Sequence, residues 1–175
     1  KAYTLTADGW GEDGSASLWY CEDNKMTKVS TTPSIDSLGY FYGSITKYLN
    51  FVPHRHEGKV LGLAAYVNKP KSYDIIKNMI GFDKIRLQFL GLYDKGIYLP
   101  KYDNKNLNIL DDRFSREDIA SSAQKVLEET VCALVTEIKT HKKINKFDLC
   151  IAGGVFANVK LNQKLSELNE VNNLY

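Results

Sequence analysis

The 175-residue chain carries a net charge of only +2, with 25% charged and 43% hydrophobic residues, and is long enough for a domain with its own core. That balance argues against a dedicated nucleic-acid surface, which needs clustered excess Lys and Arg, and no apolar run approaches the length of a membrane span. Three cysteines, Cys21, Cys132 and Cys150, lie far apart without metal-ligand spacing, a usage expected of reduced thiols in a cytoplasmic protein.

From the N-terminus, Tyr3 to Ala7 reads as a strand and runs into Asp8-Gly9-Trp10-Gly11-Glu12-Asp13-Gly14, a turn of glycines and acids. Ser15 to Cys21 and Lys25 to Thr31 are two further β-rich runs joined at Glu22-Asp23-Asn24, which predicts a three-stranded antiparallel meander. Asp8 closes the first strand. An Asp-Gly there can hold a metal, orient a water or face a phosphate, or it can be an acidic turn residue satisfying its own backbone.

Pro33 ends the β pattern. Leu38, Phe41, Tyr42, Ile45 and Leu49 have helical spacing within Ser37 to Leu49, and a second helical segment runs from Gly58 to Tyr66. Between them lies His54-Arg55-His56-Glu57-Gly58-Lys59, the densest collection of ionisable types in the chain. His54 and His56 are two apart, which on a helix puts them on different faces and on a loop leaves a metal site open. Glu57 and Lys59 could meet a bound anion or ribose, or pair with surface charges. Ser72 to Ile80 predicts a short helix. Ile85 to Leu92 and Gly96 to Leu99 predict a hairpin around Tyr93-Asp94-Lys95, and Tyr102 to Asp112 a polar surface loop.

Ser115 to Asp118 approximates a capping box, with Asp in place of the usual Glu. The long helix it opens carries a wide apolar face of Ile119, Ala123, Val126, Leu127, Thr130, Leu134 and Ile138, suited to packing across a sheet. The basic run Lys139 to Lys146 suits that helix's C-terminal end. Phe147 to Ile151 is an apolar run of strand length, halted by Gly153 and Gly154, and Val159 to Leu168 again has helical spacing. A strand–Gly-Gly–helix junction lets a ligand approach the backbone and aims free N–H groups at it, or it is a turn that only lets strand and helix pack. If the Phe147 strand joins the meander, the Gly-Gly pair lies beside Asp8, at the kind of strand-end crevice where open α/β sheets bind ligands. The chain begins on Lys1 and stops abruptly at Asn172-Asn173-Leu174-Tyr175, so it is expected to be a piece of a longer protein.

Three segments together, Asp8 to Ser17 (DGWGEDGSAS), Ser37 to Tyr66 (SLGYFYGSITKYLNFVPHRHEGKVLGLAAY) and Ala152 to Leu165 (AGGVFANVKLNQKL), resemble the nodulation and antibiotic O-carbamoyltransferases over most of the chain. The resemblance implies an α/β fold: a ribonuclease-H-like lobe of an actin-like ATPase, built of an antiparallel meander plus helices, with a helical and hairpin insertion at about 33–112. It implies a parent enzyme that transfers a carbamoyl group from carbamoyl-adenylate to a hydroxyl of a small-molecule acceptor. An adenylate-forming domain of the same parent chain makes the adenylate from carbamoyl phosphate and ATP. The implied cofactor is a divalent metal, iron(II) in the family.

Carried over by position, Asp8 would be a metal ligand. Gly9, Glu57, Lys59, Gly153, Gly154 and Asn158 would face the adenylate, with the Gly154 backbone against the adenosine. His54 and His56 match no ligand of the family. Its metal histidines belong to a segment just upstream of residue 1 and a further metal Asp to one beyond residue 175, so the fragment alone is expected to be inactive. Ala65 and Val67 depart from the Pro and Gly usual there. Neither a nucleic acid nor a membrane is expected as a partner. The competing readings are an actin-like sugar kinase, with Asp8 as base or magnesium-water ligand, and a nucleotide-binding lobe without chemistry.

Overall fold

The structure is a computed structural model that describes residues 1–91 and 105–175. Its centre is a mixed five-stranded sheet of β1 (Ala2–Ala7), β2 (Ala16–Glu22), β3 (Lys25–Thr32), β6 (Phe147–Ala152) and β7 (Val171–Leu174), in the order β3-β2-β1-β6-β7. The expected meander forms: β1 pairs antiparallel with β2, and β2 with β3. The Phe147 strand joins it as expected, running parallel to β1 from Ala2↔Asp148 to Thr6↔Ala152. β1 alternates strictly, burying Tyr3, Leu5 and Ala7 on one face, the period-2 pattern of a strand with a single core face. β7, parallel to β6, was not expected. Its Val171-Asn172-Asn173-Leu174 has little β-propensity, and it is held by backbone bonds from Tyr175 N to Leu149 O and Ile151 N to Tyr175 O.

Between β3 and β6 lie α1 (Leu38–Tyr48), α2 (Glu57–Ala64), α3 (Tyr73–Lys77), a hairpin of β4 (Ile80–Asp83) and β5 (Gln88–Gly91), a 3-10 helix at Lys105–Leu110, and α4 (Arg116–Lys142). The hairpin is displaced from expectation. Its strands pair Ile80↔Gly91 through Asp83↔Gln88, so Ile85 lies in the turn, 93% exposed. The turn is set by the Asp83 carboxylate, which accepts N–H from Ile85 and Arg86, an Asx turn that outweighs the apolar run around it. The second predicted strand, Gly96 to Leu99, and the turn Tyr93 to Lys95 lie outside the described residues. Within the predicted polar loop, Leu107 and Leu110 are buried in the 3-10 helix. All three cysteines are free and half-buried; Cys132 and Cys150, expected from their apolar surroundings to be small core residues, are not enclosed, and Cys132 packs against the core from its border.

Helix α4 organises the layer on the sheet. Its Ala120, Ala123, Val131, Val135 and Ile138 are fully enclosed and share one core with Tyr3, Leu5, Phe147 and Leu149. It also touches α1, α2, α3, β4 and α5, which is why its apolar face is so wide. Ser115 caps it, accepting the Asp118 N–H at 3.2 Å, and the basic last turn closes on Lys143 in the left-handed region. Only half of the predicted capping box forms. The Asp118 carboxylate turns instead to the segment before α3, accepting Lys71 N at 2.6 Å and Ser72 N at 2.9 Å, while Ser72 and Ser122 hydroxyls bond at 2.7 Å. The buried Ser72 amide and the part-buried Lys71 amide, both outside the helix, take the carboxylate, in keeping with the rule that enclosed backbone donors are paired. Among the described residues no helix is long and apolar enough to cross a membrane.

Asp118→Ala leaves those two backbone N–H groups without an acceptor. It should lower unfolding stability by about 2–4 kcal/mol, read from the midpoint of a urea transition. A midpoint matching the unsubstituted chain would show that solvent reaches these amides.

Candidate functional site

β1 and β6 are the parallel pair at the centre of the sheet, and both end at one edge. There Asp8 follows β1 and Gly153-Gly154 follow β6. The Asp8 carboxylate spans the two ends: Oδ1 accepts Gly9 N at 2.7 Å and Oδ2 accepts Gly154 N at 3.0 Å. Helix α1 is docked on the same point. Ser37 caps it by accepting Tyr40 N and donates its own hydroxyl proton to the Asp8 carbonyl at 3.0 Å. Gly39 makes this approach possible, since a β-carbon there would stand 2.6 Å from Gly9 N and 2.7 Å from the Asp8 carbonyl carbon.

The two glycines have different tasks. Gly153 has φ +103°, a conformation open to glycine, and a β-carbon on it would stand 2.3 Å from the Ala7 carbonyl oxygen. It is there so that β6 can leave the sheet against β1. A β-carbon on Gly154 would first approach Asp8 Oδ1, at 3.2 Å. The direct strand–helix junction predicted from sequence is not what forms. A 3-10 turn, Gly154–Ala157, intervenes and tucks Val155 and Phe156 into the core. Helix α5 (Val159–Ser166) begins after it, capped by Asn158. The Gly154 N–H is held by Asp8.

A cleft of about 490 Å³ opens over this edge, lined by Asp8, Gly9, Glu57, Gly154 and Asn158 among others. The sequence-predicted residues therefore converge, with two exceptions. Gly153 is behind the cleft, against Ala7. Lys59 does not line it either: it is exposed, with its Nζ 5.8 Å from the centre of the Phe51 ring. Apolar floor is supplied by Leu38, Leu127 and Val155.

Beneath Asn158 lies a polar chain that sequence reading did not find. The buried Tyr42 hydroxyl donates to Gln124 Oε1 at 2.8 Å, Asn158 Nδ2 donates to the same oxygen at 2.8 Å, and Gln124 Nε2 donates to Asn158 Oδ1 at 3.1 Å and to Glu128 at 2.6 Å. Asn158 Oδ1 also accepts Leu161 N. Burial first, then the Glu128 and Glu57 carboxylates, push the Tyr42 hydroxyl well above its ordinary range and keep it a donor. Asn158 thus retains one amide N–H for anything in the cleft.

The α1–α2 loop forms the opposite rim. Glu57 Oε1 accepts His54 N at 2.6 Å, and His54 itself lines the cleft, at φ +65°. His56 turns away, its Nδ1 accepting Val52 N. Arg55 and Tyr42 also line the cleft. Arg55 lies within a stretch singled out for its charges, and Tyr42 was readable only as a core position of α1. No group of three or more His, Cys, Asp and Glu gathers to hold a metal ion among the described residues. Asp8 fits as a single ligand, because each of its oxygens accepts one N–H and keeps a further lone pair.

A family model described as the carbamoyltransferase N-terminus matches residues 1–175. The chain belongs to that family. Similar proteins include the uncharacterized proteins MJ1051 and MJ1058 of Methanocaldococcus jannaschii. The first is 31% identical over 95% of this chain and 32% of its own length, the second 30% identical over 100% and 30%. The nodulation protein NolO of Bradyrhizobium diazoefficiens is 27% identical over 94% of this chain and 30% of its own. The chain spans about a third of the length of these relatives.

The two glycines of this family member should separate on substitution. Gly153→Ala meets both a forbidden backbone angle and a carbonyl, and should cost about 2 kcal/mol or more. Gly154→Ala asks only a few tenths of an ångström of Asp8 and should cost roughly half of that or less. Urea midpoints of both variants check this, and equal costs would show that the Gly153 turn relaxes freely.

Proposed function

We propose that the chain is one lobe of the catalytic domain of a carbamoyltransferase, and that its cleft holds the adenylate half of carbamoyl-adenylate. The parent enzyme passes the carbamoyl group to a hydroxyl of a small-molecule acceptor in the cytoplasm. The observation that carries this reading is the convergence of Asp8, Gly9, Glu57, Gly154 and Asn158 on one cleft at the C-terminal ends of the parallel pair β1–β6, where open α/β sheets take ligands. Membership of the carbamoyltransferase N-terminus family supplies the reaction class. The sheet order β3-β2-β1-β6-β7 supports reading residues 1–175 as a ribonuclease-H-like lobe of an actin-like fold, with 33–112 as an insertion between β3 and α4.

In this reading Leu38, Leu127 and Val155 take the apolar face of the base, and the Gln124–Asn158 pair fixes one wall against which it rests. Asp8 is one ligand of a divalent metal, iron(II) by family resemblance, completed by residues outside this chain. Such a metal supplies Lewis-acid polarisation of a carbonyl oxygen. The adenylate comes from carbamoyl phosphate and ATP on an adenylate-forming domain of the same parent.

In the full-length protein, Asp8→Asn removes the charge a metal needs and one of the two oxygens that accept backbone N–H. Metal content by elemental analysis should fall, and ATP-dependent consumption of carbamoyl phosphate with acceptor carbamoylation should fall at least about tenfold. Full metal occupancy in the variant would take Asp8 out of the metal site. A wild-type protein that binds no adenine nucleotide would overturn the cleft assignment.

A further inference from the structure

Of the described residues lining the cleft, Arg55 alone carries a permanent positive charge. Two other arginines, outside the cleft lining, are committed: Arg113 bonds the Ile109 carbonyl, and Arg116 bonds the Leu49 carbonyl and lies over the Phe51 ring. The Arg55 side chain is exposed and pairs with no carboxylate among the described residues, although Glu57 lines the same rim. Yet its backbone is fixed. Arg55 N and His56 N both donate to the Val52 carbonyl, at 3.3 and 3.0 Å. Val52 N donates to His56 Nδ1 at 3.2 Å, and His54 N to Glu57 at 2.6 Å. A tight loop tied on both sides of the residue holds an unneutralised guanidinium at the mouth of an apolar-floored cleft.

Two carboxylates, Asp8 and Glu57, line the same cleft. An anionic ligand entering it meets their repulsion unless a cation offsets them, and a planar guanidinium suits a phosphoryl group through two parallel N–H donors. The loop has already lost its backbone freedom, so less entropy remains to be lost on binding. We propose that Arg55 is the anion-recognising residue of the cleft and takes a phosphoryl oxyanion, either on a nucleotide or as free phosphate. This deepens the adenylate reading and names the group within the ligand that this rim selects.

Titration calorimetry on the full-length protein with AMP, adenosine and inorganic phosphate separates the cases. Arg55→Ala should weaken AMP roughly tenfold or more, the scale of a charge-assisted hydrogen bond, and leave adenosine within about twofold. Arg55→Lys, which keeps the charge and loses the fork, should recover part of the difference. An equal loss for inorganic phosphate assigns the site to the free anion as well. Phosphate binding that depends on Arg55, in a protein that takes neither AMP nor adenosine, keeps this inference and removes the adenylate reading. AMP and phosphate affinities unchanged in Arg55→Ala overturn the inference and leave the adenylate reading standing. A wild type that binds none of the three overturns both. Because Arg55 is exposed, its variants should keep the wild-type melting temperature, so a loss of affinity will not be a loss of fold.

Discussion

One carboxylate closes the centre of this molecule. Parallel strands cannot be joined by a tight turn, so β1 and β6 meet only because the chain between them returns, and their ends need a separate tie. Asp8 supplies it by accepting N–H groups from its own neighbour and from Gly154, 146 residues away. A carboxylate that accepts two backbone donors interacts more strongly than neutral acceptors do. The docking of α1 on the Asp8 carbonyl, the exit of β6 past Ala7 and the position of the cleft all follow from where this tie sits.

Beneath Asn158 a hydroxyl–amide network that ends on the Glu128 carboxylate joins the helices. Tyr42, Gln124 and Asn158 join α1, α4 and the start of α5 through one shared oxygen, Gln124 Oε1. Every member has a partner, which is the condition under which a buried polar chain rigidifies rather than weakens a core. The cleft is therefore framed by one charged link at the sheet edge and one hydroxyl–amide link between helices. The rim loop before α2, His54 to Glu57, is held within itself, by backbone bonds to the Val52 carbonyl and by the His56 and Glu57 side chains.

The sheet's meander, the crossover through α4 and the meeting of Asp8 with Gly154 were legible in the sequence because each rests on local pattern: alternation, capping Ser115, and Gly-Gly after an apolar strand. The failures share a cause as well. Asp118 was read by its place in a helix start, yet it is claimed by Lys71 and Ser72, a contact with no local signature. Lys59 was read as facing the cleft, but the helix turn that brings Glu57 inward carries Lys59 toward the Phe51 side. β7 was missed because two asparagines mask its pairing, and the β4–β5 turn because Asp83 sets it rather than a glycine. Tyr42 looked like core, and it is; that it also holds Gln124 is a fact of tertiary structure alone.

The parallel pairing of β1 with β6 also shapes how this chain can be made. The β1–β2–β3 meander is local and can close early. The flank of β1 that receives β6 stays an open row of amides and carbonyls until residues 147–152 exist and α4 has crossed. Contacts of such sequence separation are slow to form, because loop closure comes before any reward. An unpaired central strand edge is a template for pairing with another chain. Until then the meander of residues 2–32 carries a ready sticky edge, and a faster α4 crossover shortens the time it stays open.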